Sequence, residues 1–161
     1  MYDNEGGDTW DTPQQEKNDP WTYMQKFGQF AHARFFQALL APGRDLGLVT
    51  TSVNPKHDGE TLNDWYLRTR IAETAGRYGD IFDVQDQANT TTGDYQSFMA
   101  NASGQANGAN DFIYRLAGIS TKYGTAQQMA TAAKSINPGG YWLNVPDGDI
   151  AKAVAFLRLM Q

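Results

Sequence analysis

Three points along the chain pair a side chain that can cap a helix with apolar residues following at helical spacing, and together they commit much of its length to helix. Asp19-Pro20 is the first: Asp accepts from free amides, and Pro at the first helical position has no amide to lose. The spacing predicts a helix from Pro20 to about Leu40, with Trp21, Met24, Phe27, Ala31, Phe35 and Ala38 on one face and Tyr23, Phe30, Phe36 and Leu40 on another, stopped by Ala41-Pro42-Gly43. Thr61-Leu62-Asn63-Asp64 resembles a capping box with Asp in place of the usual Glu or Gln, and predicts a second helix to about Tyr78, with continuation through Ile81, Phe82 and Val84 left open. Thr125-Ala126-Gln127-Gln128 opens another, which Asn137-Pro138-Gly139-Gly140 ends.

From Asp94, the positions Tyr95, Phe98, Met99, Ala102, Ala106, Ala109, Ile113 and Leu116 repeat at helical spacing. Gly104 and Gly108 sit inside that run, each costing about 1 kcal/mol relative to Ala. Either the helix breaks between Ser103 and Asn110, or the small stripe Ala100, Gly104, Gly108 serves close approach of another backbone. Asp147 caps a last helix with Ile150, Val154 and Leu157 turned inward. Leu46 to Val53 and Tyr141 to Val145 are the candidate extended pieces, the latter read as core. The expected fold is mainly α, about five helices with at most two short extended segments, preceded by an acidic flexible N-terminal arm. The arm covers 1–19 and a single helical domain 20–161.

Charge supports that division. Asp3, Glu5, Asp8, Asp11, Glu16 and Asp19 face only Lys17 in the first twenty residues, which accounts for the whole net charge of −5. The remainder is neutral and lacks the positive field that general nucleic-acid binding requires. No apolar run approaches the roughly 20 residues of a membrane span. The first twenty residues have no basic start and no apolar stretch, so no export signal is expected and a cytoplasmic or virion setting is favoured. With no cysteine, and with His32 and His57 far apart, neither a metal site nor a cofactor is expected.

The segment Arg70-Ile71-Ala72-Glu73-Thr74-Ala75-Gly76 resembles lysozyme-like glycoside hydrolases, in which a Glu near a helix end protonates the glycosidic oxygen. That resemblance implies a cell-wall hydrolase with Glu73 as general acid. The Gly-rich strand segment and Gln signature that follow this Glu in such families have no match here. Asp80, Asp83 and Asp86 lack the Gly and distal Glu of a calcium loop and read as a solvated face.

Twelve Gln and ten Asn replace the Glu and Lys that usually cover exposed helices. Weakly charged faces cost little to cover, which suits a subunit of a larger assembly. The leading expectation is a non-catalytic structural or adaptor subunit, of virion or secretion type by analogy. Its protein partners, in a homo- or hetero-oligomer, would meet Tyr2 and Trp10 of the arm and the small-residue face at Gly104 and Gly108. A third reading is an acidic-tail inhibitor or decoy for a basic surface.

Overall fold

The computed structural model describes residues 1–7, 12–50, 52–136 and 138–161. Trp10, Asp8, Asp11 and Asn137, which entered the sequence reading, lie outside them. The fold is α/β, not mainly α. Five strands, β1 (Tyr2–Asn4), β2 (Leu39–Pro42), β3 (Ile81–Gln85), β4 (Tyr114–Ser120) and β5 (Gly140–Asn144), form one parallel sheet in the order β1-β2-β3-β4-β5. Seven α-helices are found among the described residues: α1 (Gln14–Asn18), α2 (Pro20–His32), α3 (Leu62–Arg68), α4 (Ile71–Tyr78), α5 (Asp94–Ala109), α6 (Ala126–Ile136) and α7 (Ile150–Met160).

Each strand thus pairs with its sequence neighbour through a helical crossover. Because such crossovers are right-handed, a sheet wound in sequential order places its helices on one face, as in a segment of a (β/α)8 barrel. Leu40, Phe82, Val84 and Ala117 turn to that face and join Met24, Trp65, Tyr66, Ile71, Tyr95, Phe98 and Met99 in the main core. Ile119 continues it into a second cluster with Met129, Ala133 and Phe156.

The errors in the helical reading have a common cause. A parallel strand covered on both faces shows no alternation, and here the apolar positions of the preceding helix run on into β2, β3 and β4. The helix predicted from Pro20 to Leu40 ends at His32. Phe35 amide donates to the His32 carbonyl and Phe36 amide to Ala31, both at 3.0 Å, while Phe35 adopts a φ of 60°. This is the six-to-one and five-to-two pattern of a Schellman turn with Phe at the position glycine usually holds. Leu39 and Leu40 then enter the sheet. The second predicted helix is two, broken where Arg70 takes a φ of 54°, and Phe82 and Val84 belong to β3. α5 runs unbroken through Gly104 and Gly108, and its projected extension to Leu116 is β4.

The flexible arm is likewise corrected at its start. Tyr2–Asn4 pair with Leu40, Ala41 and Pro42 of β2. The Tyr2 ring lies 5.2 Å from that of Phe27, and its hydroxyl donates to Glu16 at 2.6 Å. In α7, Ala153 and Phe156 are buried while Ile150, Val154 and Leu157 point outward, so the predicted inward face is reversed.

Three of the four capping signals formed, while the last helix starts at Ile150 behind Asp149, with no side-chain cap bond, so Asp147 does not cap it. Asp19 accepts from the Thr22 amide, Thr61 and Asp64 close a capping box, and Thr125 and Gln128 close another. No described helix is long and apolar enough to cross a membrane.

Candidate active site at the strand C-termini

A parallel sheet delivers the residues following each strand to one edge, where backbone groups leave the ladder and polar side chains gather. Here those residues are Glu5 after β1, Gly43-Arg44-Asp45 after β2 and Asp86-Gln87 after β3. Glu5, Arg44, Asp45, Gln85, Asp86 and Gln87 line one cavity of about 270 Å³, with Tyr123 from the turn after β4.

Gly6 and Gly7, which read as flexible punctuation, hold this edge together. A Cβ on Gly6 would overlap the Asp45 carbonyl, so only glycine lets the chain after β1 lie against the turn after β2. The Gly7 amide then donates to Asp45 Oδ2 at 3.0 Å. Glu5 is left half-buried at the mouth. Burial, followed by the neighbouring charges of Asp3 and Asp45, pushes its carboxyl up to about 7.

Asp86 is set differently. Its side chain is fully buried, and Oδ1 accepts from Arg44 Nε at 2.9 Å and from Asn89 Nδ2 at 2.8 Å. Oδ2 has no hydrogen-bond partner among the described residues. Burial raises this carboxyl to about 6, against the opposing pull of Arg44 and the Asn89 hydrogen bond. Beneath the mouth, Asp3, Asp83 and Gln85 share the sheet face opposite the helices, and Gln85 Nε2 donates to Asp3 Oδ1 at 3.0 Å. Asp83 is fully buried with neither oxygen partnered among the described residues, and burial with the Asp3 charge drives it up to about 7.

The edge therefore holds carboxyls that exchange protons near neutrality and Arg44 as the cation on its wall. Among the described residues no three acidic or imidazole side chains stand together as a metal site requires. A larger cavity of about 380 Å³ lies between the start of α5 and α6, lined by Thr90, Thr91, Gln96, Gln127, Gln128 and Thr131 among others. It offers hydroxyls and amides but no ionisable group other than Tyr95, whose buried hydroxyl is held protonated by desolvation.

The residues singled out from sequence stand elsewhere. Glu73 lies in the first turn of α4, with one oxygen paired to Arg70 and the other to Arg77 Nη2 at 2.8 Å. Tyr2 is the β1 residue already described, facing the helices. Gly104 and Gly108 are exposed on α5 with open space where a Cβ would be. The close helix approach belongs instead to Gly76 of α4, where a Cβ would overlap the Ala106 backbone. Glu5 was hidden among the acids of the supposed arm. No local signal exposes it: Met1-Tyr2-Asp3 before Asn4-Glu5 is not an apolar run, and only the pairing of Tyr2–Asn4 with β2 brings Glu5 to this edge.

No protein-family model, curated protein or solved structure matches this chain.

Proposed function

We propose that the cavity at the C-terminal edge of the sheet is an acid–base catalytic site for a small polar substrate, with Glu5 and Asp86 as its working pair. The observation carrying this reading is that two carboxyls lining one cavity are both displaced toward neutrality while their surroundings differ: Glu5 sits among like charges, and Asp86 is clamped by Arg44. Such a divergence separates the group that holds a proton from the group that gives one up. Glu5 delivers its proton to a departing oxygen as the carbon–oxygen bond breaks. The incoming water bonds to that carbon and gives its proton to the unpartnered Oδ2 of Asp86, which is closed to solvent in this structure and is reached as the substrate opens the cavity wall. Solvent then returns both groups to their starting states.

The test is hydrolysis of ethyl esters and of unactivated oligosaccharides, whose departing oxygen needs a proton, between pH 5 and 8. The reading expects turnover that falls about 10²- to 10⁴-fold in Glu5→Gln and in Asp86→Asn. No turnover by the parent, or equal rates in the variants, counts against it.

The assembly-subunit reading stands second, and one observation favours it. Ile150, Val154 and Leu157 form an outward apolar stripe on α7, 71%, 41% and 53% exposed. Sedimentation of the parent and of Leu157→Asp tests it: association lost in the variant supports a protein partner or second copy, and a monomer in both contradicts self-assembly.

A further inference from the structure

We propose that the substrate of this site is a neutral saccharide, stacked on Trp142; the proposal rests on the acid–base reading of the same edge and adds the class of molecule it acts on. Tyr141 and Leu143 of β5 turn toward the helices: the Tyr141 ring meets Phe156 edge-on at 6.2 Å, and its hydroxyl donates to the Ala133 carbonyl. Alternation along the strand therefore places Trp142 on the inner face, with Asp83 and Gln85.

The sheet register aligns Gln85 with Gly118, and Gly118 with Trp142. The indole thus stands half-buried at the level of Gln85, with a residue lacking a side chain between them. One step further along the same face, Asn144 Nδ2 donates to Gln87 Oε1 at 3.3 Å, and Gln87 lines the cavity of Glu5 and Asp86. A continuous strip thus runs from the carboxyl pair through Gln85 and Gln87 to Asn144 and Trp142.

A sugar ring has an apolar C–H face and a rim of hydroxyls. A flat aromatic beside amides and carboxyls matches both. The charge balance narrows the class further. With Glu5 protonated, Asp45 and Asp86 still outnumber Arg44, itself engaged by Asp86, and leave the mouth negative, which disfavours phosphorylated or carboxylated ligands. Three amides and a carboxyl that holds a proton near neutrality favour hydroxyl groups over an amine.

The experiment is isothermal titration calorimetry of the full chain with cellohexaose, xylohexaose, laminarihexaose and N-acetylchitohexaose, beside spermine and oligogalacturonate. The proposal expects binding of at least one neutral oligosaccharide, weakened about tenfold or more in Trp142→Leu and restored in Trp142→Tyr, which keeps an aromatic face. Phe112→Ala, at an exposed position before β4 at the other end of the sheet, leaves binding unchanged. Thermal melting of Trp142→Leu separates loss of binding from loss of fold, and Trp142→Gln, which also lacks an aromatic face, replaces it with the same expected loss if the Leu variant does not fold.

Absence of binding by all of the neutral sugars overturns the proposal. So does binding confined to spermine or oligogalacturonate, or equal binding by parent and folded Trp142→Leu. Sugar binding without turnover upholds the saccharide and refutes the acid–base reading. Glu5-dependent ester hydrolysis with no sugar bound does the reverse.

Discussion

Asp83→Asn isolates the cost of burying a carboxyl beneath the proposed site. In the unfolded chain the group ionises near 3.8; in the folded protein, fully buried and near Asp3, it ionises at about 7. Between those values the folded state holds a proton that the unfolded state has released, so each rise in pH favours unfolding. Asp83 is therefore neutral toward stability below about pH 4, and its relative stabilisation is lost as pH rises through about 7. Integrated over that window, a displacement of this size corresponds to about 4 kcal/mol. Asn has nearly the same shape and cannot ionise, so the variant should lack this part of the slope.

Guanidinium unfolding followed by tryptophan fluorescence from pH 4.5 to 8.5 measures it. Glu5 and Asp86 contribute slopes of the same sign, so the variant's curve is flatter, not flat. The parent should lose roughly 2 to 4 kcal/mol more than Asp83→Asn across the range. At pH 4.5 the two should lie close together, since a buried amide and a protonated carboxyl leave comparable groups unpartnered. Parallel curves would refute the reasoning, because they would mean that Asp83 ionises alike in both states.

Other positions test the fold by independent physics. Phe35→Gly should stabilise by about 1 kcal/mol in the same unfolding assay: the side chain is 99% exposed, and the turn needs a positive φ that glycine adopts freely. Gly76→Ala should destabilise by about 1 to 3 kcal/mol by thermal melting, because the added methyl meets the Ala106 backbone rather than a side chain that can move. Arg44→Gln removes the cation from Asp86 and should move that carboxyl above about 6, seen as a shift of its ¹³C titration to higher pH.

The parts of the fold legible in the sequence were those fixed by local hydrogen bonding. Asp19, Thr61 with Asp64, and Thr125 with Gln128 start helices because their side chains reach amides only two or three residues away, which spacing alone reveals. The strands depend on partners distant in sequence. Leu39–Pro42 has only four residues, and its neighbours are Tyr2–Asn4 and Ile81–Gln85, so nothing local marks it as sheet. The short apolar run before Asn144 was visible, but its place as the fifth strand beside β4 was not.

The candidate site was illegible for the same reason. Glu5, Asp45 and Asp86 come together only because three parallel strands end at one edge, and with β1 read as a flexible arm and β2 and β3 as helix their acids have no common destination. Net charge misled as well. Six acids among the first twenty residues resemble a solvated tail, yet Tyr2, Asn4 and Glu16 are tied together by hydrogen bonds, and Gly7 to Asp45. A charge count carries no information on which carboxylates have partners.

Catalysis at this edge requires Glu5 and Asp86 to exchange protons near neutrality in one cavity. Side-chain carboxyl ¹³C NMR across pH 3 to 9, assigned through Glu5→Gln and Asp86→Asn, reads this directly. The expected midpoints are about 7 for Glu5 and about 6 for Asp86, with the Glu5 midpoint falling in Asp45→Asn as a like charge is removed. Midpoints for both near the ordinary carboxyl value of about 4, unchanged by Asp45→Asn, would contradict the acid–base reading.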